Sequence, residues 1–102
     1  MKMKQKINKN SINNKKKGNI HMNNFYNLIQ KERERQDDKW GIQRHDWNTW
    51  STILTEECGE VAKACLEIGF KNNTLDELEE ELIQVAAVSK AIYEHIQEIK
   101  NN

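Results

Sequence analysis

Residues 50–68 read Trp50-Ser51-Thr52-Ile53-Leu54-Thr55-Glu56-Glu57-Cys58-Gly59-Glu60-Val61-Ala62-Lys63-Ala64-Cys65-Leu66-Glu67-Ile68. Ile53, Leu54, Val61, Ala64, Cys65 and Ile68 return to one broad side, which is the spacing of an amphipathic helix. Asn48 or Thr49 is suited to cap its start, and Gly69 to end it. Beyond Lys71-Asn72-Asn73, the run Thr74-Leu75-Asp76-Glu77 has the form of a capping box. It predicts a second long helix from Leu75 to about Glu98, with the stripe Leu75, Leu78, Leu82, Val85, Ala86, Ser89, Ile92, Ile96 and Ile99. The short connection between the two predicts an antiparallel helical hairpin.

Upstream, Phe25, Leu28 and Ile29 form a short apolar stripe, predicting a shorter N-terminal helix from Phe25 to about Asp38. Lys31-Glu32-Arg33-Glu34-Arg35 alternates charge and reads as an exposed face. Residues 39–49 have no period but are rich in aromatic and hydrogen-bonding groups, as in a loop. Residues 1–23 are Asn- and Lys-rich, with too little apolar surface to offset the entropy of ordering them, so a disordered basic tail is expected. The helical domain is then 24–100. The chain contains no proline, and 31% of its residues are charged; both favour an all-α fold. Only 36% are hydrophobic, a thin core for one small domain, and association of copies is a common remedy.

The net charge of zero hides an asymmetry. Residues 1–24 hold seven lysines and no acid, so all sixteen acids fall on the remainder, which is acidic overall. Lysines in the tail could neutralise phosphates, but the acidic domain repels a nucleic-acid backbone, and a solvated tail is the preferred reading. Cys58 and Cys65 are two turns apart on one helix, about 10 Å, too far to bridge. They read as buried free thiols, in keeping with a reducing compartment. No apolar run reaches the roughly 20 residues of a membrane span, and no apolar stretch follows the basic N-terminus as in a secretory signal. A cytoplasmic location is the default expectation.

The anomaly lies in the carboxylates. Glu57 and Glu60, three apart, share a helix side with Ile53 and Ala64. Acids within an apolar stripe are costly unless paired with cations or a metal. Gly59 between them costs about 1 kcal/mol relative to alanine in mid-helix, which the close approach of a helix or ligand would explain. On the next helix, Glu81 adjoins Leu82 near the edge of the apolar face, and Gln84 follows one turn on. Distances from the connection nearly match, so Glu57, Glu60 and Glu81 are expected to converge, and a hard divalent cation such as magnesium suits such a set. The competing reading is a solvated Glu-rich face, which accounts well for Glu67, Glu79, Glu94 and Glu98.

The segment Thr55-Glu56-Glu57-Cys58-Gly59-Glu60-Val61-Ala62-Lys63-Ala64 resembles the EExxE helix of the MazG-like nucleotide pyrophosphohydrolases, in the all-α NTP pyrophosphatase superfamily. Glu80-Glu81-Leu82-Ile83-Gln84-Val85-Ala86-Ala87-Val88 looks like that family's ExxD helix. Lys39-Trp40-Gly41 and His45 resemble its compact, phage-type branch, and the likeness covers roughly residues 28–98. It implies a helical homodimer or homotetramer with four-helix-bundle active sites. It also implies magnesium-dependent cleavage (manganese serving in its place) of nucleoside triphosphates to the monophosphate and pyrophosphate. Carried over by residue, Glu57, Glu60 and Glu81 are metal ligands, and Glu56 a water-orienting acid with Glu57 as its alternative. Gln84 stands where the family usually has aspartate; its amide oxygen can still ligate, with Glu77 one turn before Glu81 as a partial substitute.

Lys39, Arg44, His45, Lys63 and Lys71 are the groups available to triphosphate oxygens. Trp40, Trp47 and Trp50 offer stacking surfaces for a base, although packing against helix ends is their plainer role. His45 beside Asp46 reads first as a structural hydrogen-bonding residue, and His95 as a surface one. The alternative to an enzyme is a helical dimer of the same build that has lost turnover and serves a regulatory or binding role, which Gln84 supports.

Overall fold

The computed structural model describes residues 18–71 and 74–102. Their regular structure is helical throughout: α1 (Gly18–Trp40), α2 (Trp47–Lys71) and α3 (Leu75–Lys100). The first helix begins ahead of the expected Phe25. The tail expected over 1–23 lies, for residues 1–17, outside the described residues.

Local chemistry sets the helix ends. Gly41 takes a left-handed conformation at φ 76°, and its N–H donates to the Asp37 carbonyl at 2.8 Å, which closes α1 as glycine does at many helix ends. Asp46, rather than Asn48 or Thr49, caps α2: its Oδ1 accepts from the Thr49 N–H at 2.7 Å, and its carbonyl from the Trp50 N–H. Three residues between a carboxylate and an amide is the usual reach of such a cap. The bond from the Thr49 N–H holds the Asp46 carboxyl below its usual range. Gly69 does not stop α2, which continues to Lys71. Thr74 has the extended backbone of an N-cap, but its side chain makes no capping bond, so the expected capping box does not form. Asp76 and Glu77 still complement the dipole at the start of α3.

Both α1 and α2 pack on α3. The hydrophobic core joins Trp50 and Ile53 of α2 to Val88 and Ala91 of α3, flanked by Leu54 and Ile92. The start of α2 therefore lies beside the end of α3, and the Trp50 indole N–H donates to Nδ1 of His95 there at 2.9 Å. His95, expected at the surface, is instead half-buried against tryptophan.

The face that α3 buries is not the expected stripe. Ile83, Ala87, Val88 and Ala91 are buried together with Glu81 and Gln84, whereas Leu75, Leu82, Ile96 and Ile99 are exposed. Ala87 and Ala91 explain the choice physically: small side chains let two neighbours approach one helix closely, which a row of leucines and isoleucines prevents. The larger stripe is left on the outside, with Tyr93 of α3 and with Leu66 and Phe70 of α2 also exposed.

The charged run on α1 also differs from expectation. Glu32, Arg33 and Gln36 are buried, although the alternation of residues 31–35 suggested solvent on all of them. Arg35 grips the Glu32 carboxylate through Nε at 3.1 Å and Nη2 at 3.0 Å. Gln36 donates to the same carboxylate, and Arg33 reaches Glu94 of α3. Charges survive burial where each is paired in this way. Cys58 and Cys65 are free, but exposed rather than buried, because the inward face of α2 runs through Trp50, Ile53, Glu57 and Ala64. No helix among the described residues is long and apolar enough to cross a membrane.

Candidate functional site

Glu57 sits one turn after Ile53 on the face that α2 turns inward, and it is 0% exposed. Ala64, two turns further on, is buried as well, so the acid interrupts an apolar row as its sequence position suggested. Glu60 is half-buried and Glu56 exposed. On α3, Gln84 lies one turn before the core residue Val88, and Glu81 nearly one turn before Gln84. Both are about 1% exposed, which puts Glu81 in the middle of the buried face and not at its edge. Glu77 is exposed.

The described residues of α2 and α3 bury three polar or charged side chains, Glu57, Glu81 and Gln84, and two of them are carboxylates. The Oε1 atom of Gln84 is buried with no hydrogen-bond partner among the described residues. An unsatisfied buried acceptor costs about 1–3 kcal/mol, and such an atom in a folded protein calls for a water, an ion or a ligand. Among the described residues, no group of three or more His, Cys, Asp or Glu side chains is gathered so as to hold a metal ion. Gly59 has open space where a Cβ would stand, so none of the described residues of the chain makes the close approach that was suggested for a helix or ligand there.

The groups read as substrate contacts fall elsewhere. Lys39 lies over the Trp40 ring, with Nζ 5.1 Å from its centroid. Arg44 is engaged by both carboxylate oxygens of Glu98, at 2.9 and 3.2 Å. This bond raises the Arg44 pKa and holds the Glu98 carboxyl below its usual range. His45 meets the Trp50 ring edge-on at 4.8 Å, with Nε2 3.4 Å from Gln43 Oε1. Lys39, Trp40, Arg44 and His45 thus surround the α1–α2 connection, while Glu57 is two turns along α2, about 10 Å from Trp50 by helical rise. Lys63, one turn past Glu60, is exposed. Lys71 ends α2, and the placement of its side chain lies outside the described residues. Trp50 is a core residue at 2% exposure; Trp47 and Trp40 keep 52% and 39%.

Glu32 was missed as a buried carboxylate. A signal was present: the stripe Phe25, Leu28, Ile29 continues at helical spacing through Glu32, Arg33 and Gln36, so the inward face of α1 changes from apolar to paired polar groups without changing direction. Comparison with protein-family models, with curated proteins and with solved structures finds no match to this chain.

Proposed function

We propose that this protein is a magnesium-dependent nucleoside triphosphate pyrophosphohydrolase of MazG-like type, releasing a nucleoside monophosphate and pyrophosphate. The observation that carries the reading is burial: Glu57 of α2 and Glu81 and Gln84 of α3 are all buried, and the Gln84 Oε1 has no hydrogen-bond partner among the described residues. Carboxylate and amide oxygens are hard donors, in kind those that magnesium accepts. Glu57, Glu81 and Gln84 would hold the ion, with Glu60 at the rim. Two protein carboxylates suffice for magnesium, which keeps waters and takes substrate phosphates as its other ligands. When bound, it would neutralise triphosphate charge and activate a water.

The chain's own residues would then divide the work. Glu56, exposed beside Glu57 in sequence, would take a proton from an attacking water. Lys63, exposed one turn beyond Glu60, is the cation nearest along α2 to meet phosphate. Lys39, Trp40 and His45 at the α1–α2 connection are further off; of these Trp40 and Lys39 are exposed, and a base or an outer phosphate would compete with their contact to each other. α2 and α3 form an antiparallel hairpin in this reading, since the start of one lies beside the end of the other. Two hairpins from two copies would build a four-helix bundle over the exposed Leu82, Ile96 and Ile99. A large exposed apolar stripe marks an interaction surface.

The test is pyrophosphate release from each ribo- and deoxyribonucleoside triphosphate with magnesium or manganese. Turnover of at least one nucleotide is expected, and its loss in Glu57→Gln with the helical spectrum unchanged. A folded chain inert toward all of them would sink the enzymatic reading. It would favour the second reading, a helical dimer with a regulatory or binding role, for which the specific observation is the neutral Gln84 in an otherwise acidic set.

A further inference from the structure

Trp50 ties the start of α2 to the end of α3 through one hydrogen bond, from its indole N–H to Nδ1 of His95 at 2.9 Å. Indole N–H is a donor only. The bond therefore requires Nδ1 of His95 to be bare, which makes its ring neutral with the proton on Nε2. The neighbours complete an aromatic cluster at this corner. The Trp47 ring lies 5.0 Å from His95, and His45 meets Trp50 edge-on from the connection. Trp50 is at the same time the largest buried side chain of the core, so this bond anchors the core to the corner.

We propose that the Trp50–His95 contact is a pH-sensitive latch. Uptake of a proton at Nδ1 of His95 sets one N–H against another, and the start of α2 is released from the end of α3. Imidazole is the side chain that changes charge near neutral pH, and the charged groups around this corner leave His95 as the one that breaks the bond. On its own helix, Glu98 is held by Arg44 from the connection, and Glu94 by Lys90 and by Arg33 of α1. From α1, Asp37 is paired with Arg33. From the connection, Asp46 is engaged by the N–H of Thr49. His45 stands perpendicular to the Trp50 ring and is not the acceptor of the indole proton, which is His95. The latch lies on the same helix as Glu57, two turns away, and it stands whether or not the chain hydrolyses nucleotides.

The experiment follows the indole N–H of Trp50 by NMR in the ¹⁵N-labelled full chain between about pH 8 and about pH 5, with the exposed Trp47 indole as reference for intrinsic exchange. Protection of Trp50 relative to Trp47 is expected to fall about tenfold, the worth of one hydrogen bond, with the midpoint of the His95 ring signals. His95→Gln, whose amide oxygen can accept but does not titrate in this range, should abolish the step. His45→Gln should retain it. A pH-independent Trp50, a step that persists in His95→Gln, or ¹⁵N shifts placing the proton on Nδ1 at the alkaline end would overturn the proposal.

Discussion

At the scale of single residues, Gln84 is the most informative side chain. Its position on α3 is fully buried, and an aspartate there would add a second buried carboxylate to the helix side that already buries Glu81, with Glu57 buried on α2. Such a substitution is unfavourable without a cation, because buried like charges repel and lose hydration. Gln84→Asp is therefore expected to lower the melting temperature in the presence of a chelator and to regain it with magnesium. Tighter binding than in the parent should appear by calorimetry. A variant as stable without metal as with it would remove Gln84 from the site. The carboxylates of α2 were legible from spacing alone, since Glu57 shares a side with Ile53 and Ala64. The burial of Glu81 was only half legible, because two candidate faces of α3 differ by one residue in rotation.

At the scale of elements, α1 packs on α3, and the Arg33–Glu94 pair, with Lys90 on the same carboxylate, ties the two together. Burial pushes the Glu94 carboxyl up, but its bonds to Lys90 and Arg33 outweigh this and hold it below the usual carboxylate range. A depressed carboxylate contributes stability above its unfolded pKa, and that contribution disappears as the pH falls through the folded one. Glu94→Gln is thus expected to destabilise the chain by about 1 kcal/mol at neutral pH, the upper end for a partly solvated pair. The difference from the parent should shrink once the pH falls below the ordinary glutamate value of about 4.3 and vanish below the depressed folded one. Urea titrations at several pH values check it; a difference that is independent of pH would mean that packing, not charge, is lost. The sequence placed α1 but not its buried pairs, because alternating charge on a helix is the signature both of a solvated face and of i, i+4 pairing that can be carried inward.

At the scale of the whole molecule, the exposed stripe is the main feature left over by the fold. Leu82, Ile96 and Ile99 of α3 and Leu66 and Phe70 of α2 are all on the outside. Each buried apolar side chain contributes about 1.5–3 kcal/mol, so covering several of them with a second copy would supply substantial stabilisation to a chain of this size. The chain is expected to sediment as a dimer or larger, and the double variant Leu82→Glu/Ile96→Glu as a helical monomer with lowered thermal stability. A parent that stays monomeric at high concentration would count against the bundle and against active sites shared between copies.

By itself, the sequence determined that the chain is helical, where α2 and α3 lie to within about three residues (α1 begins at Gly18 rather than the expected Phe25), and that Glu57 interrupts an apolar row. Those are consequences of spacing along one strand of chain, which periodicity records directly. Only the tertiary structure decided which face of α3 turns inward, because that depends on how closely α1 and α2 can approach Ala87 and Ala91. It also decided that Glu32 and Arg33 are buried, that Asp46 caps α2, and that His95 accepts a bond from Trp50. Each of these is a contact whose free energy depends on a partner brought near by folding, and one-dimensional spacing carries no information about that partner.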